Sequence, residues 1–244
     1  MTLEHDERLF AERLMPFQSE PEILGYTLDD LLHPSSGNPI RIGLIVMKTS
    51  ANGTNVDSIN DVILKLTSSG QYDVLVGPEY SFMHFEGPLS EAEKDAYLEG
   101  MKQATAGKDM LLIPGTFVWQ KDGKMYNTAY VVRNGNVFYE YHKMTDGGDI
   151  NIAQKHGLIL HQGKVPGVFE WGNLKLSLEI CSDGSSVYAA GITAGLFEKD
   201  IKDKDLQILV SAGTFFTNVV VRPSGYIAKT NGLLRKFNYV MQIN

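Results

Sequence analysis

The chain contains one cysteine, Cys181, and it lies where a predicted strand ends. Leu178 and Ile180 fall on one face of that strand, whereas Glu179 and Cys181 fall on the other, because side chains alternate along a strand. A thiol at a strand end is a candidate nucleophile if its surroundings lower its pKa. Free cysteines are also common as small buried apolar residues, so the position by itself leaves catalytic and structural interpretations open.

Ser182, Asp183 and Gly184 turn the chain directly after the cysteine. When a strand turns into a helix in this way, the first backbone N–H groups of the turn can stabilise a negatively charged oxygen. The N–H of Ser182 is therefore a candidate oxyanion donor. Glu179, which shares the predicted face of Cys181, and Asp183 are candidate residues of a substrate pocket.

A carboxylate, Glu79, follows the apolar strand predicted over Tyr72–Val76. The carboxyl ends of strands are where α/β sheets place their sites, and burial there raises the pKa of a carboxyl towards that of a general base. A solvated surface acid is the competing interpretation. Tyr80 and Phe82 follow Glu79 closely and are candidate pocket walls, although aromatic side chains lie in the core more often.

A basic residue, Lys143, follows the strand predicted over Val137–His142. An ammonium group at this position can stabilise a developing oxyanion, and it can lower the pKa of a nearby thiol from about 8.5. A lysine that leaves a hairpin is, in isolation, more often a surface residue. The adjacent His142 is either a surface residue at the strand end or a partner of the site.

The order of these residues, a glutamate first, a lysine second and a cysteine third, resembles the nitrilase, or carbon–nitrogen hydrolase, superfamily. The matching segments are LVGPEYSF around Glu79, YNTAYVV and YEYHK before Lys143, LEICSDG around Cys181, and DLQILVSAGT after it. The resemblance extends from Ile40 to Ile243.

This resemblance implies an α/β fold of the α–β–β–α sandwich type and a catalytic triad of Glu79, Lys143 and Cys181. The implied reaction is hydrolysis of a non-peptide C–N bond in an amide, a carbamoyl compound or a nitrile, through a thioester on Cys181. Glu79 would accept the thiol proton, and Lys143 with the N–H of Ser182 would hold the oxyanion. The resemblance implies no metal and no organic cofactor, a small-molecule amide-like substrate, and a homo-oligomer.

The chain departs from this family between the lysine and the cysteine, where members commonly place a second glutamate. The segment Met144–Gln162 contains only Asp146 and Asp149 as acids. Either the substrate-orienting carboxylate is missing or another residue replaces it. The alternatives to hydrolysis are therefore a non-catalytic binding module that keeps the fold, and a variant that passes the acyl group to an amine or a lipid.

A Cys–His hydrolase is the competing enzyme class. No histidine follows Cys181, which excludes a papain-like order of the two residues. A caspase-like order stays open through His142 or His161, but the segment EICSDG lacks the local signature of that family.

The chain is 244 residues long, with 43% hydrophobic and 21% charged residues, which is an ordinary composition for a globular protein. No run approaches the roughly 18 apolar residues of a membrane-spanning helix, so we expect no membrane partner. The formal net charge is −7, without a concentrated basic stretch, so we expect no nucleic-acid partner. A single cysteine excludes an internal disulfide, and the N-terminal segment lacks the apolar core of a secretory signal, so we expect a cytoplasmic protein.

The organisation that we predict is an N-terminal extension over residues 1–38 and a hydrolase-like domain over residues 39–244. Strands alternate with helices from Ile40 onwards, which is typical of a layered α/β domain. Members of the family usually add further strands after the last matching block, so this chain is either a short variant or truncated. We predict one short helix that starts at Thr27, and further helices over Asn55–Leu66, Ser90–Ala106, Gly184–Glu198 and Ser224–Phe237. Near the end of the chain we predict strands over Leu206–Ala212 and Tyr239–Ile243.

Overall fold

The computed structural model describes residues 21–184, 204–213, 221–233 and 237–243. The helix predicted over Gly184–Glu198 lies almost wholly outside these residues. The described elements are β1 (Glu22–Leu32), β2 (Pro39–Val46), α1 (Val56–Ser69), β3 (Val74–Val76), β4 (Leu89–Ser90), α2 (Glu91–Thr105), β5 (Leu111–Ile113), β6 (Thr116–Lys121), β7 (Lys124–Arg133), β8 (Asn136–His142), α3 (Asp149–Lys155), β9 (Ile159–His161), β10 (Val168–Trp171), β11 (Leu174–Ile180), β12 (Lys204–Ser211), β13 (Val221–Asn231) and β14 (Tyr239–Gln242).

The described strands form two sheets. The first sheet contains nine of these strands, in the order β1-β2-β3-β5-β7-β6-β4, with β8 and β9 both pairing with β7. The second contains the other five, in the order β10-β11-β12-β13-β14. Strands β2, β3 and β5 run parallel, and so do β11, β12 and β13. Each sheet therefore carries several strand carboxyl ends at one edge, where α/β folds place their sites.

The main core lies between the two sheets. Alternate residues of β11, among them Leu176 and Leu178, pack into one apolar cluster with Val74 and Val76 of β3. Between these two, Leu75 points to the other face of the first sheet, where it packs with α1 and α2. Each fully buried side chain of this size contributes about 1.5–3 kcal/mol to the hydrophobic stabilisation. This layering confirms the predicted α/β sandwich.

Two predicted helices are wrong, because strand pairing overrides the local signal. The capping-box spacing at Thr27 falls inside β1, which pairs antiparallel with β2 and buries Leu28 against the core between the sheets. The helix predicted over Ser224–Phe237 is mostly β13, where Ile227 and Ala228 are fully buried in parallel register with β12.

The second capping box is confirmed. The Ser90 hydroxyl accepts from the backbone N–H of Glu93 at 3.2 Å, and a Glu93 carboxylate oxygen accepts from the backbone N–H of Ser90 at 2.7 Å. These two bonds satisfy groups that would otherwise lack partners in the first turn of α2. Within the described residues, no helix is long and apolar enough to cross a membrane.

Candidate active site

The carboxyl ends of β3 and β12 meet at Glu79, two residues after Gly77. A side chain at Gly77 would collide with the carbonyl of Pro114, because a Cβ there would lie 2.5 Å from the carbonyl oxygen. The glycine therefore lets the chain pass close to Pro114 on its way to Glu79. Glu79 is fully buried. Its Oε2 accepts a 3.0 Å hydrogen bond from the backbone N–H of Ala212, directly after β12. Contacts with both sheets therefore fix this carboxylate.

Lys143 directly follows β8 and points at the same carboxylate. Its Nζ donates to Oε1 of Glu79 at 2.7 Å, and the lysine is only 3% exposed. The backbone N–H of Lys143 donates to the carbonyl of Asn127 at 2.9 Å, which fixes the start of the loop after β8. The structure thus brings the first two predicted triad residues into direct contact.

A third charged residue, Asp149, completes this cluster. Its Oδ2 accepts from Lys143 Nζ at 2.6 Å. The amide of Asn127 donates to both carboxylates, at 2.8 Å to Asp149 and 3.1 Å to Glu79. Asp149 is the first residue of α3, and its position in the sequence indicated no role for it. Asp149 could have been identified as the carboxylate that the family leads one to expect between the lysine and the cysteine. Asn127 lies inside the matching segment YNTAYVV, and nothing in the sequence marked it as a residue of the site.

Burial and charge act in opposite directions on this cluster. Burial raises the pKa of Glu79, and the nearby charge of Asp149 adds to that rise, while Lys143 opposes it; the net pKa lies above its usual value. Burial lowers the pKa of Lys143, but the charges of Glu79 and Asp149 outweigh burial and hold that pKa well above its usual value. The lysine is therefore a cation, and Glu79 is a carboxylate that takes up a proton more readily than a solvated one.

Cys181 begins a short 3-10 turn over Cys181–Gly184, directly after β11. Its φ of 49° lies in the left-handed region, which costs a residue with a side chain on the order of 1–3 kcal/mol. A hydrogen bond from the Cys181 side chain lowers the pKa of Glu79, so the thiol lies beside the carboxylate. The expected face is wrong: the left-handed turn ends the strand alternation at Ile180, and Cys181 packs against the apolar cluster between the sheets.

The residues after the cysteine are held by hydrogen bonds to the loop after Lys143. The Ser182 hydroxyl lies 2.6 Å from the hydroxyl of Thr145. The carboxylate of Asp183 accepts four hydrogen bonds, from Tyr141, Met144 and twice from Thr145. Two carboxylate oxygens have about four acceptor positions in all. Asp183 therefore uses its acceptor positions within the protein, and its place in a substrate pocket stays a prediction.

Of the two aromatic candidates, Tyr80 joins the cluster and Phe82 does not. The Tyr80 hydroxyl donates to Asp149 at 3.3 Å, and the ring centroid lies 5.9 Å from Lys143 Nζ. Phe82 is fully buried on the opposite face of the first sheet, where its ring stacks on that of Phe117 at 4.1 Å. Because it packs among the residues of α1 and α2, Phe82 is a core residue and no pocket wall.

Two further candidates, Glu179 and His142, lie outside the cluster. Glu179 accepts from the side-chain amide of Gln207 at 2.8 Å, and burial raises its pKa to about 8. His142 contacts the hydroxyl of Thr128 at 2.9 Å, and burial lowers its pKa. Among the described residues neither side chain hydrogen-bonds to Glu79, Lys143 or Asp149. Glu179 was expected on the face of Cys181, but the left-handed turn at Cys181 ends the strand alternation that this expectation used. His142 is the last residue of β8 and is adjacent to Lys143, and adjacent residues along a strand point to opposite faces.

The part of the chain that the structure describes contains no group of three or more His, Cys, Asp or Glu side chains arranged to hold a metal ion. The charged cluster is instead an ion-paired network in which each carboxylate already accepts hydrogen bonds from protein donors.

Comparison with known proteins identifies the family of this chain. Residues 39–191 match the family model described as carbon-nitrogen hydrolase. An amidase from Nesterenkonia sp. has a similar structure, with 18% identity, a TM-score of 0.60, and coverage of 83% of this chain and 82% of that one. Another similar structure, at 18% identity and a TM-score of 0.59, is a mutant of the amidase from Nesterenkonia sp. AN1 with the acetamide moiety of fluoroacetamide added covalently at its active-site cysteine; 83% of this chain and 82% of that one are covered.

A glutamine-dependent NAD+ synthetase from Acinetobacter baumannii is also similar, with 17% identity and a TM-score of 0.56. The match covers 77% of this chain but only 38% of the synthetase, so the chain spans less than half of that protein. No curated protein sequence matches the chain. The family model nevertheless matches more than half of the residues, and the chain belongs to the carbon–nitrogen hydrolase family.

Proposed function

We propose that this protein hydrolyses a non-peptide C–N bond in a small amide-like molecule, through a thioester on Cys181. The observation that carries the proposal is the buried Lys143 ammonium, hydrogen-bonded at 2.7 Å to Glu79 and at 2.6 Å to Asp149, next to the chain's only thiol. A buried cation between two acids, beside a cysteine on a left-handed turn, supplies a base, an electrophilic group and a nucleophile in one place.

The first half of the reaction forms the thioester. Glu79 accepts the thiol proton while Cys181 Sγ bonds to the carbonyl carbon of the substrate. The carbonyl oxygen becomes an oxyanion, which Lys143 and the backbone N–H of Ser182 stabilise. The C–N bond then breaks as Glu79 returns its proton to the departing nitrogen, and the acyl group remains on the sulfur.

The second half releases the acyl group. Glu79 takes a proton from a water molecule, and the resulting hydroxide attacks the thioester carbon. The C–S bond breaks, the thiolate recovers the proton from Glu79, and a carboxylic acid leaves. The raised pKa of Glu79 suits this alternation, because a group that takes up and releases protons near neutral pH works best when its pKa lies close to that pH.

Asp149 supports an enzyme over a non-catalytic module. The argument for a binding module was the absent second glutamate, and Asp149 supplies a carboxylate on the same lysine. With Asn127, it holds the ammonium in one orientation beside Glu79. The likeness to amidases makes carboxamides the first substrate class to test, with carbamoyl compounds and nitriles after them.

The test is an ammonia-release screen over aliphatic amides, ureas and nitriles, with Cys181→Ala as the matched blank. We expect release from at least one carboxamide by the wild-type protein and none above blank by the variant. Equal release by both would overturn the mechanism. Release by neither, from a folded wild-type protein, would favour the binding module.

Added hydroxylamine separates hydrolysis from acyl transfer, because it traps a thioester as a hydroxamate. A hydroxamate that forms at the expense of free acid shows that water is the normal acceptor. An acyl-enzyme that accumulates in water, and reacts only with an added amine, would contradict hydrolysis and favour acyl transfer. The mass of the intact protein reports that accumulation directly.

A further inference from the structure

Asp183 is a buried carboxylate to which the proposed chemistry gives no task. It is 5% exposed, and among the described residues Lys143 Nζ donates to Glu79 and Asp149 and not to Asp183. Burial raises its pKa, and the hydrogen bonds and the charge of Lys143 oppose that rise. Burying a carboxylate is costly unless its lone pairs are satisfied, so the donors that surround it indicate what it does.

The donors come from both sides of Lys143. Before the lysine, the Tyr141 hydroxyl donates to Oδ2 of Asp183 at 2.8 Å. After the lysine, the backbone N–H of Met144 donates to Oδ2 at 3.1 Å, and the backbone N–H of Thr145 donates to Oδ1 at 2.7 Å. One carboxylate therefore ties the strand end and the loop that flank Lys143 to the turn that carries Cys181.

A chain of two hydroxyl groups makes the same connection. The Thr145 hydroxyl donates to Oδ1 of Asp183 at 2.6 Å. Since that hydroxyl has a single hydrogen, the Ser182 hydroxyl at 2.6 Å must donate to Thr145. Thr145 thus links Asp183 to Ser182, the residue whose backbone N–H is the proposed oxyanion donor.

The loop also lies too close to the turn to move independently. A Cβ at Gly147 would lie 2.9 Å from the Ser182 hydroxyl and 3.0 Å from Lys143 Nζ. A larger residue at this position would push one of these two side chains aside.

We propose that Asp183 is a positioning residue that fixes the turn bearing Cys181 and Ser182 against Lys143, so that thiol, oxyanion donor and ammonium meet at one substrate atom. The inference rests on the proposed function. The competing explanation is a carboxylate that stabilises the fold without affecting the reactivity of the thiol.

Alkylation of Cys181 by iodoacetamide separates these explanations, because it reports thiolate reactivity without needing a substrate. The chain has no other cysteine, so the mass increase comes from this residue alone. The rate is followed against pH for wild type, Asp183→Asn, Thr145→Val and Thr145→Ser. Circular dichroism and thermal unfolding establish that each variant is folded.

In Asp183→Asn the new NH2 group must face one hydroxyl and one backbone N–H. The hydroxyl can turn to accept from it, but the backbone N–H cannot, so at least one hydrogen bond is lost. We expect its alkylation at pH 7 to slow about tenfold, equivalent to about one hydrogen bond to a charged group, and its pH midpoint to move towards the free-thiol value of about 8.5. Thr145→Val, which loses only the hydroxyl links, should change in the same direction. Thr145→Ser, which keeps them, should restore the wild-type profile. If Asp183→Asn does not fold, the Thr145 pair carries the test.

An unchanged pH profile in folded Asp183→Asn, or in Thr145→Val, would overturn the positioning role and leave a structural one. The ammonia assay keeps the two proposals apart. If the wild-type protein releases ammonia and its alkylation profile does not depend on Asp183, the proposed hydrolysis stands and the positioning role of Asp183 is wrong. If the alkylation profile depends on Asp183 but no amide is turned over, the positioning role stands and the proposed hydrolysis is wrong. A wild-type thiol that reacts like free cysteine rejects both.

Discussion

Lys143 and Asp149 form a buried ion pair in which Nζ lies 2.6 Å from Oδ2, with the side chains 3% and 1% exposed. The two residues are close along the chain, and the turn that closes the pair runs through Gly148, whose φ of 107° only a glycine adopts readily. Asp149 then starts α3, so its backbone is fixed by the helix. An acid on the first turn of a helix therefore lies against Lys143 in this chain.

Replacing Asp149 by asparagine should reduce turnover. The variant keeps the size of the side chain but removes its charge, so Lys143 loses one of its two anionic partners. We expect a fall in kcat of about tenfold or more, because a charge-assisted hydrogen bond is lost. Steady-state ammonia release measures it.

The matched control is Asp146→Asn, three residues earlier. The Asp146 carboxylate accepts from the backbone N–H groups of Gly148 and Ile150, and an asparagine oxygen can accept the same bonds. We expect its kcat to match wild type. Equal kcat values for both variants would contradict a role for the charge of Asp149.

Replacing Glu79 by glutamine should remove the proton acceptor. A general base contributes about 10²–10⁴-fold to the rate, and we expect Glu79→Gln to lose that amount in ammonia release. Glu179→Gln is the control, since it changes a buried carboxylate that lies outside the cluster and bonds only to Gln207 among the described residues. A Glu79→Gln protein that turns over like the control would exclude Glu79 as the base.

The stability of the protein should depend on pH through Glu179. Burial raises its pKa to about 8 in the folded protein, against about 4.3 in an unfolded chain. Folding therefore favours the protonated form, and its contribution to the free energy of unfolding is fully present below pH 4.3 and is lost as the pH rises through about 8.

Thermal unfolding from pH 5 to pH 9 tests this dependence. We expect Tm of wild type to fall relative to Glu179→Gln as the pH rises, and the difference to level off above pH 8, because glutamine has no proton to lose. Parallel Tm curves for the two proteins would show that Glu179 does not hold a proton in the folded state.

Adding a methyl group at Gly147 should disturb the site more than the fold. The new Cβ would lie 3.0 Å from Lys143 Nζ and 2.9 Å from the Ser182 hydroxyl, so the lysine must shift. At this distance the ammonium must give way by a few tenths of an ångström. Because a misplacement of about 1 Å at a catalytic group costs about 10²-fold in rate, we expect a smaller loss, of about threefold to tenfold.

Gly100→Ala provides the comparison for Gly147→Ala. Gly100 lies in α2, and the nearest atom to an added Cβ there is 3.9 Å away. Alanine in a helix interior is more stable than glycine by about 0.5–1 kcal/mol, so this variant should keep its activity with a slightly higher Tm. Full activity in Gly147→Ala would show that the loop adapts without moving the lysine.

The amino-acid sequence by itself determined the family and the candidate chemistry. Its single thiol, the acid after an apolar strand and the lysine after a hairpin are local facts of type and order, and they pointed to Cys181, Glu79 and Lys143. The capping box at Ser90 was equally readable, because its two partners lie three residues apart and interact within one turn.

Only the tertiary structure decided which distant groups meet. The same local signal that correctly marks a helix at Ser90 is overridden at Thr27, because pairing with β2 buries apolar side chains that a separate helix would not. Phe82 lies on the face of the first sheet that α1 and α2 cover. The hydrogen bonds of Asp183 to the loop after Lys143 have no trace in residue spacing. Strand register and the left-handed turn at Cys181 set these positions, and both depend on contacts between residues far apart along the chain.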